Sequence, residues 1–231
     1  MKTTSPQDYL ELLEVFRMAL TNGLADKSDI IKWADDIIRQ DDEPDYFILE
    51  LSLCGHKNVN AVITLIDDYM GSDAPLVSGR IILGLLYRRY IDGKKTLKDV
   101  LGYMLWIIGL KPISEQEIHL MYLIDQYNDM IGYDMYGSNE DYFYSGERQT
   151  VTIEQIRNET LRFIEIYKEF CLDNFSEWKT VDKSIDGKVQ ELQTIIAEEQ
   201  KEIIQLSKVQ AEEERVRTQS KSLKHKWWKW W

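Results

Sequence analysis

Glycine and proline are scarce, 12 and 4 among 231 residues, below their ordinary combined share of roughly 12%. So few chain breakers favour long, uninterrupted helices. Cysteine occurs twice, at Cys54 and Cys171, each inside an apolar helical pattern, which excludes a disulfide framework and predicts buried free thiols in a reducing compartment. The longest apolar run, Val100 to Leu110, falls short of the roughly 20 residues needed to span a bilayer. The opening Met1-Lys2-Thr3-Thr4-Ser5-Pro6 leads into a charged amphipathic helix with no apolar signal segment. The expected location is therefore cytoplasmic.

Catalytic signatures are missing as well. The three histidines, His56, His119 and His225, lie far apart and share no metal-ligand spacing. Glu115 and His119 are one helical turn apart, but no second such pair joins them. Cys54-Gly55-His56 lacks the second cysteine of a zinc motif. No glycine-rich phosphate cradle is present. The carboxylate pairs Asp35-Asp36, Asp67-Asp68 and Asp125 with Asp129 suit solvated helix faces better than magnesium sites. These absences predict a protein that is not an enzyme and uses no metal or cofactor.

What the chain does have is apolar spacing of three and four residues, punctuated by capping residues. The predicted class is all-α: about eight helices in residues 1–173, a coiled-coil-like arm over 174–214, and a basic Trp-rich tail over 215–231. Ser5-Pro6 opens the first helix and Asn22-Gly23 closes it. Ser28 is expected to cap the second and Pro44 to open the third. Further helices are predicted over 59–70, 76–91 and 96–110, the last capped by Thr96. The Ser114 to Glu117 capping box opens a helix to about Ile131, and another runs from Thr152 to Leu172. Within the second helix Trp33 shares a face with Ile30 and Ile37 and is expected in the core, with Asp35 close to the helix start at Pro44.

From Phe175 a heptad passes through Trp178, Ile185, Val189, Leu192, Ile196, Ile203 and Leu206, interrupted by Asp182 and Glu199. Gly187 is expected to act as a hinge, ahead of a helix of about thirty residues ending near Arg217. Ile185, Val189, Leu192, Ile196, Ile203 and Leu206 then form a seam that needs cover, either from the body or from another chain, so self-association is an expected property.

The chain carries a formal charge of −12, yet Arg215 to Trp231 contains six Lys or Arg and no acid. Residues 1–214 therefore carry −18. Lys224, Lys226, Trp227, Trp228, Lys229, Trp230 and Trp231 form a docking element for a membrane surface or a partner protein. A reading-frame scar is the trivial alternative. Nucleic acid is disfavoured, because the acidic remainder repels phosphate. Residues 132–149 depart from helical periodicity and interleave aromatics with acids. Tyr133, Asp134, Tyr136, Glu140, Asp141, Tyr142 and Tyr144 in this loop suit contact with a basic protein, the alternative being an Ω-loop packed on the body.

Met18-Ala19-Leu20, the run Gly23 to Asp35 (GLADKSDIIKWAD), Glu43-Pro44-Asp45 and Glu50-Leu51-Ser52-Leu53 together resemble a loose group of small all-helical, largely uncharacterised bacterial proteins. Many of that group look like immunity proteins of contact-delivered toxin systems. The resemblance covers residues 18–70 and implies a non-catalytic protein whose acidic body binds and neutralises or regulates a basic partner. A membrane-recruited adaptor or assembly subunit, working through the arm and tail at the inner membrane face, is the competing expectation.

Overall fold

The computed structural model describes residues 6–72, 74–130 and 152–227. Among these the structure is helical and contains no strand, so the all-α expectation holds. The chain divides into two compact units, Met1–Asp186 and Gly187–Trp231.

In the first unit a 3-10 turn, Pro6–Tyr9, precedes α1 (Leu10–Thr21). Then follow α2 (Lys27–Gln40), α3 (Tyr46–Ser52), α4 (Val59–Met70), α5 (Gly79–Ile91), α6 (Leu97–Leu110), α7 (Glu115–Met130) and α8 (Ile153–Glu165). Helix α1 packs on both α4 and α5, α2 packs on α3, and α8 packs on α5, α6 and α7. The core is continuous: Leu13, Val15, Ala34, Leu51, Val62, Ile66, Leu83, Leu86, Ile107 and Phe163 are all sealed from solvent.

Two turns in this unit are built alike. Gly23 and Gly93 adopt positive φ, 63° and 68°, where a side chain would be strained. Three residues beyond each glycine stands an N-cap, Asp26 or Thr96, and three further on an aspartate, Asp29 or Asp99, completes a capping box. The two turns dock on each other. Arg89 donates to the Leu24 carbonyl at 2.9 Å and to Asp26, Lys95 donates to the Asn22 carbonyl, and the Tyr103 hydroxyl donates to the same oxygen at 2.6 Å.

Several boundaries differ from expectation for local physical reasons. The cap of α2 is Asp26 rather than Ser28: the Asp26 amide donates to the Asp29 carboxylate at 2.7 Å, and the Asp29 amide donates to the Asp26 carbonyl at 2.9 Å. Helix α3 is capped by Asp45, whose carboxylate accepts from the Phe47 amide at 2.8 Å. Helix α5 is capped by Ser78, which accepts from the Arg80 amide, so Leu76 lies outside it and is exposed. Helix α8 stops at Glu165, where the chain tightens into turns up to Phe170. That approach to α5 is very close. A Cβ built on Gly84 would lie 2.5 Å from the Tyr167 carbonyl oxygen and 2.6 Å from Phe170 Cβ.

After a 3-10 turn, Leu172–Glu177, helix α9 runs from Trp178 to Trp227 without a break. Gly187, expected to be a hinge, is helical. The division at Asp186/Gly187 also lies beyond the expected boundary at 173/174. Trp178, Val181 and Ile185 are buried, and the Trp178 indole donates to the Cys171 carbonyl at 2.9 Å, so the first turns of α9 belong to the body. Asp35, expected near the Pro44 helix start, instead accepts from the Ser52 hydroxyl. Among the described residues no helix is long and apolar enough to cross a membrane.

Candidate functional site

The short helix α3 has the sequence YFILELS, apolar on nearly every side. Phe47, Ile48 and Leu51 are buried, with Phe47 stacked on Tyr69 at a ring separation of 3.9 Å. The opposite face carries Tyr46, Leu49 and Leu53, exposed at 78%, 37% and 71%. Tyr46 and Leu49 lie on one side of α3 by their spacing, and Leu53 follows on that side in the 3-10 turn Leu53–His56 that continues the helix. Asp42, Glu43 and Asp45 lie exposed at its N-terminal end, and none of them forms an ion pair among the described residues. Glu50 pairs with Lys57 at 3.1 Å. The face therefore combines an apolar stripe with excess negative charge, an arrangement that suits a partner with apolar anchors and a basic rim.

A cleft of about 490 Å³ lies elsewhere in the first unit, floored by Tyr9, Phe16, Trp33 and Phe175. Its size falls within the range of ligand pockets, but most of the charge on its walls is neutralised internally. Asp26 takes Arg89 at 2.9 Å and Lys94 at 3.0 Å, and Asp173 takes Lys32 at 3.2 Å. Hydrogen bonds from Arg89, then Lys94, hold the Asp26 carboxyl below its ordinary range. Trp33 packs edge-on against Tyr9, with ring centroids 5.3 Å apart, and its indole N–H is shielded from water with no hydrogen-bond acceptor. A ligand there meets charges that are mostly committed to one another. Cys171 borders this cleft and is partly exposed, whereas Cys54 is buried. Burial raises the Cys54 thiol above its usual range, which disfavours the thiolate and a nucleophilic role.

The most buried polar cluster centres on Arg80. Its guanidinium grips Glu117 with two bonds of 2.8 and 2.9 Å and also reaches Asp182 and Asp186. Glu117, with no exposed surface, further accepts from the Ser114 amide at 2.9 Å and the Tyr167 hydroxyl at 2.8 Å. Burial pushes the Glu117 carboxyl up, but the Arg80 and Ser114 hydrogen bonds outweigh it and leave the group below its ordinary value. Every partner is committed within the cluster, so its work is structural: it ties α5, α7 and the chain after α8 to the root of α9.

The two expected docking sites lie mostly outside the described residues. Tyr133, Asp134, Tyr136, Glu140, Asp141, Tyr142 and Tyr144 lie outside the described residues, as do Trp228, Lys229, Trp230 and Trp231. Lys224, Lys226 and Trp227 belong to α9. Of the expected seam, Ile185 is sealed in the first unit and is not available for oligomerisation, because the body already covers it. Val189 and Leu192 are also buried, Ile196 is half-buried, and Ile203 and Leu206 are exposed at 47% and 61%. Sequence reasoning missed the α3 face; the near-continuous apolar run hides which side faces out. Among the described residues no group of three His, Cys, Asp or Glu side chains could hold a metal. Comparison with protein-family models, with characterised proteins and with solved structures gives no match for this chain.

Proposed function

We propose that this is a non-catalytic, cytoplasmic protein-binding protein, most concretely an immunity or regulatory protein, whose acidic helical body engages and neutralises a basic partner. The observation that carries this reading is the outward face of α3 and the turn that follows it: Tyr46, Leu49 and Leu53 are exposed together beside Asp42, Glu43 and Asp45, none of which forms an ion pair among the described residues. The −18 on residues 1–214 speeds encounter with a positively charged protein and disfavours acidic ones. Tyr46 supplies the large amphipathic contact that commonly dominates an interface. The resemblance over residues 18–70, which includes all of α3, supports the same reading.

The second reading is a membrane-recruited adaptor or assembly subunit. It rests on the concentration of six basic residues and four terminal Trp after Glu214, a composition suited to an anionic headgroup layer.

One experiment separates them: affinity purification from the source cell with the full chain, with a chain ending at Glu214, and with a Leu49→Asp/Leu53→Asp double variant. The expected outcome is one basic protein recovered by the first two and lost with the third. That protein, once purified, should bind the double variant about 100-fold more weakly, in keeping with loss of central contacts. Recovery of membrane components alone, and only with residues 215–231 present, transfers the function to the second reading.

A further inference from the structure

Beyond Gly187 the helix α9 leaves apolar side chains exposed: Ile195 at 37%, Ile203 at 47%, Leu206 at 61% and Val209 at 51% on the seam side, and Ile204 at 52% beside it. In the heptad that runs along this helix, the positions conventionally labelled a are Val189, Ile196 and Ile203, and the d positions are Leu192, Glu199 and Leu206. β-Branched residues at a with leucine at d are the combination that selects two parallel strands over three or four. The flanking g and e positions agree with that direction. In a parallel, in-register pair Lys188 meets Gln193, Ile195 meets Gln200 and Glu202 meets Ser207, so no like charges are opposed at these flanking positions.

We propose that the occupant of this face is a second copy of the same chain, the two α9 helices pairing in parallel through Ile196, Ile203 and Leu206, with Ile195 and Val209 widening the seam. The interface is small. The exposed parts of Ile195, Ile203, Leu206 and Val209 amount to roughly 350 Å² per helix, so pairing removes on the order of 700 Å², below the roughly 1,200 Å² at which standing complexes begin. The association is accordingly weak and concentration-dependent. Glu199 sets its strength: at d, in register, its carboxylate faces the same carboxylate of the second copy, and like charges in a seam oppose pairing. The seam beyond it fades, with Gln210 at a and Glu213 at d, which limits the pairing to about two heptads. This inference does not depend on the α3 reading.

Sedimentation of the full chain from low micromolar to several hundred micromolar concentration tests it. The average mass should climb from the 27.3 kDa of one chain toward twice that value. Glu199→Leu should lower the midpoint about tenfold, and Ile203→Asp should abolish the climb while circular dichroism shows the helix content retained. Leu206→Cys, in a Cys171→Ser background, should form a disulfide between copies on oxidation, as equivalent d positions do only in a parallel pair. A mass fixed at one chain in the wild type and in Glu199→Leu overturns the proposal, as does a climb that survives Ile203→Asp. A plateau at three copies, or no Leu206→Cys crosslink in a sample that dimerises, overturns the two-stranded parallel arrangement.

Discussion

The root of α9 and its later turns share one heptad and meet opposite fates. At the root, Ile185 is fully buried, and Trp178, Asp182 and Asp186 are held by the Cys171 carbonyl and Arg80. Further along the same seam, Ile203, of the same residue type, is 47% exposed. The seam residues are alike in chemistry, so the difference lies in what surrounds them. At the root, polar partners from distant parts of the chain fix the helix, and the apolar seam is covered as a consequence. A heptad thus tells which side of a helix is apolar, and it leaves open whether the same chain supplies the cover.

The comparison breaks most sharply at Arg80. Arg80→Met leaves Glu117 buried without its cation, a change that costs about 3–5 kcal/mol. Urea unfolding should show that loss for the first unit, and a loss below about 1 kcal/mol would mean that the cluster does not anchor the root. Next in size is the contrast between two seam isoleucines. Ile185→Ala should destabilise by about 2–5 kcal/mol, whereas Ile203→Ala, measured at dilute protein, should stay within about 0.5 kcal/mol. Equal effects would erase the distinction between root and later turns. The smallest effect is a slope. The Glu117, Asp26 and Asp99 carboxyls are held below their ordinary values by Arg80 and Ser114, by Arg89 and Lys94, and by the Thr96 amide and hydroxyl. Lowered carboxyls contribute stability that is complete above the unfolded value of about 4 and disappears as pH falls through the folded one. Unfolding midpoints should therefore drop below about pH 4, less steeply in Glu117→Gln.

The sequence discloses most helices because their signals are local. Thr96, Ser114 and Thr152 are the caps their spacing implies, and Gly23 and Gly93 sit at the positive φ that their helix ends demand. The failures come from information held elsewhere. Arg80 lies 37 residues from Glu117 and 106 from Asp186, and no periodicity joins residues so far apart. Gly187 has low helix propensity, yet the helix passes through it; propensity gives way where the flanking turns are fixed. Tyr46, Leu49 and Leu53 escape notice because α3 is too short and too apolar for its pattern to distinguish inside from outside. Trp33, expected in the core, is only half-buried and lines a cleft that Phe175 joins from far along the chain, a juxtaposition no local pattern reveals.

Gly84 places a different kind of limit on the chain. A methyl group there would collide with the Tyr167 and Phe170 carbonyl oxygens and with Phe170 Cβ, none of which a side-chain rotation moves away. Neighbouring core positions can exchange one apolar side chain for another of similar volume. Position 84 has no such neighbour in sequence space. Descendants of this chain can drift around it, but they reach another residue there only by first moving the segment that carries Tyr167 and Phe170.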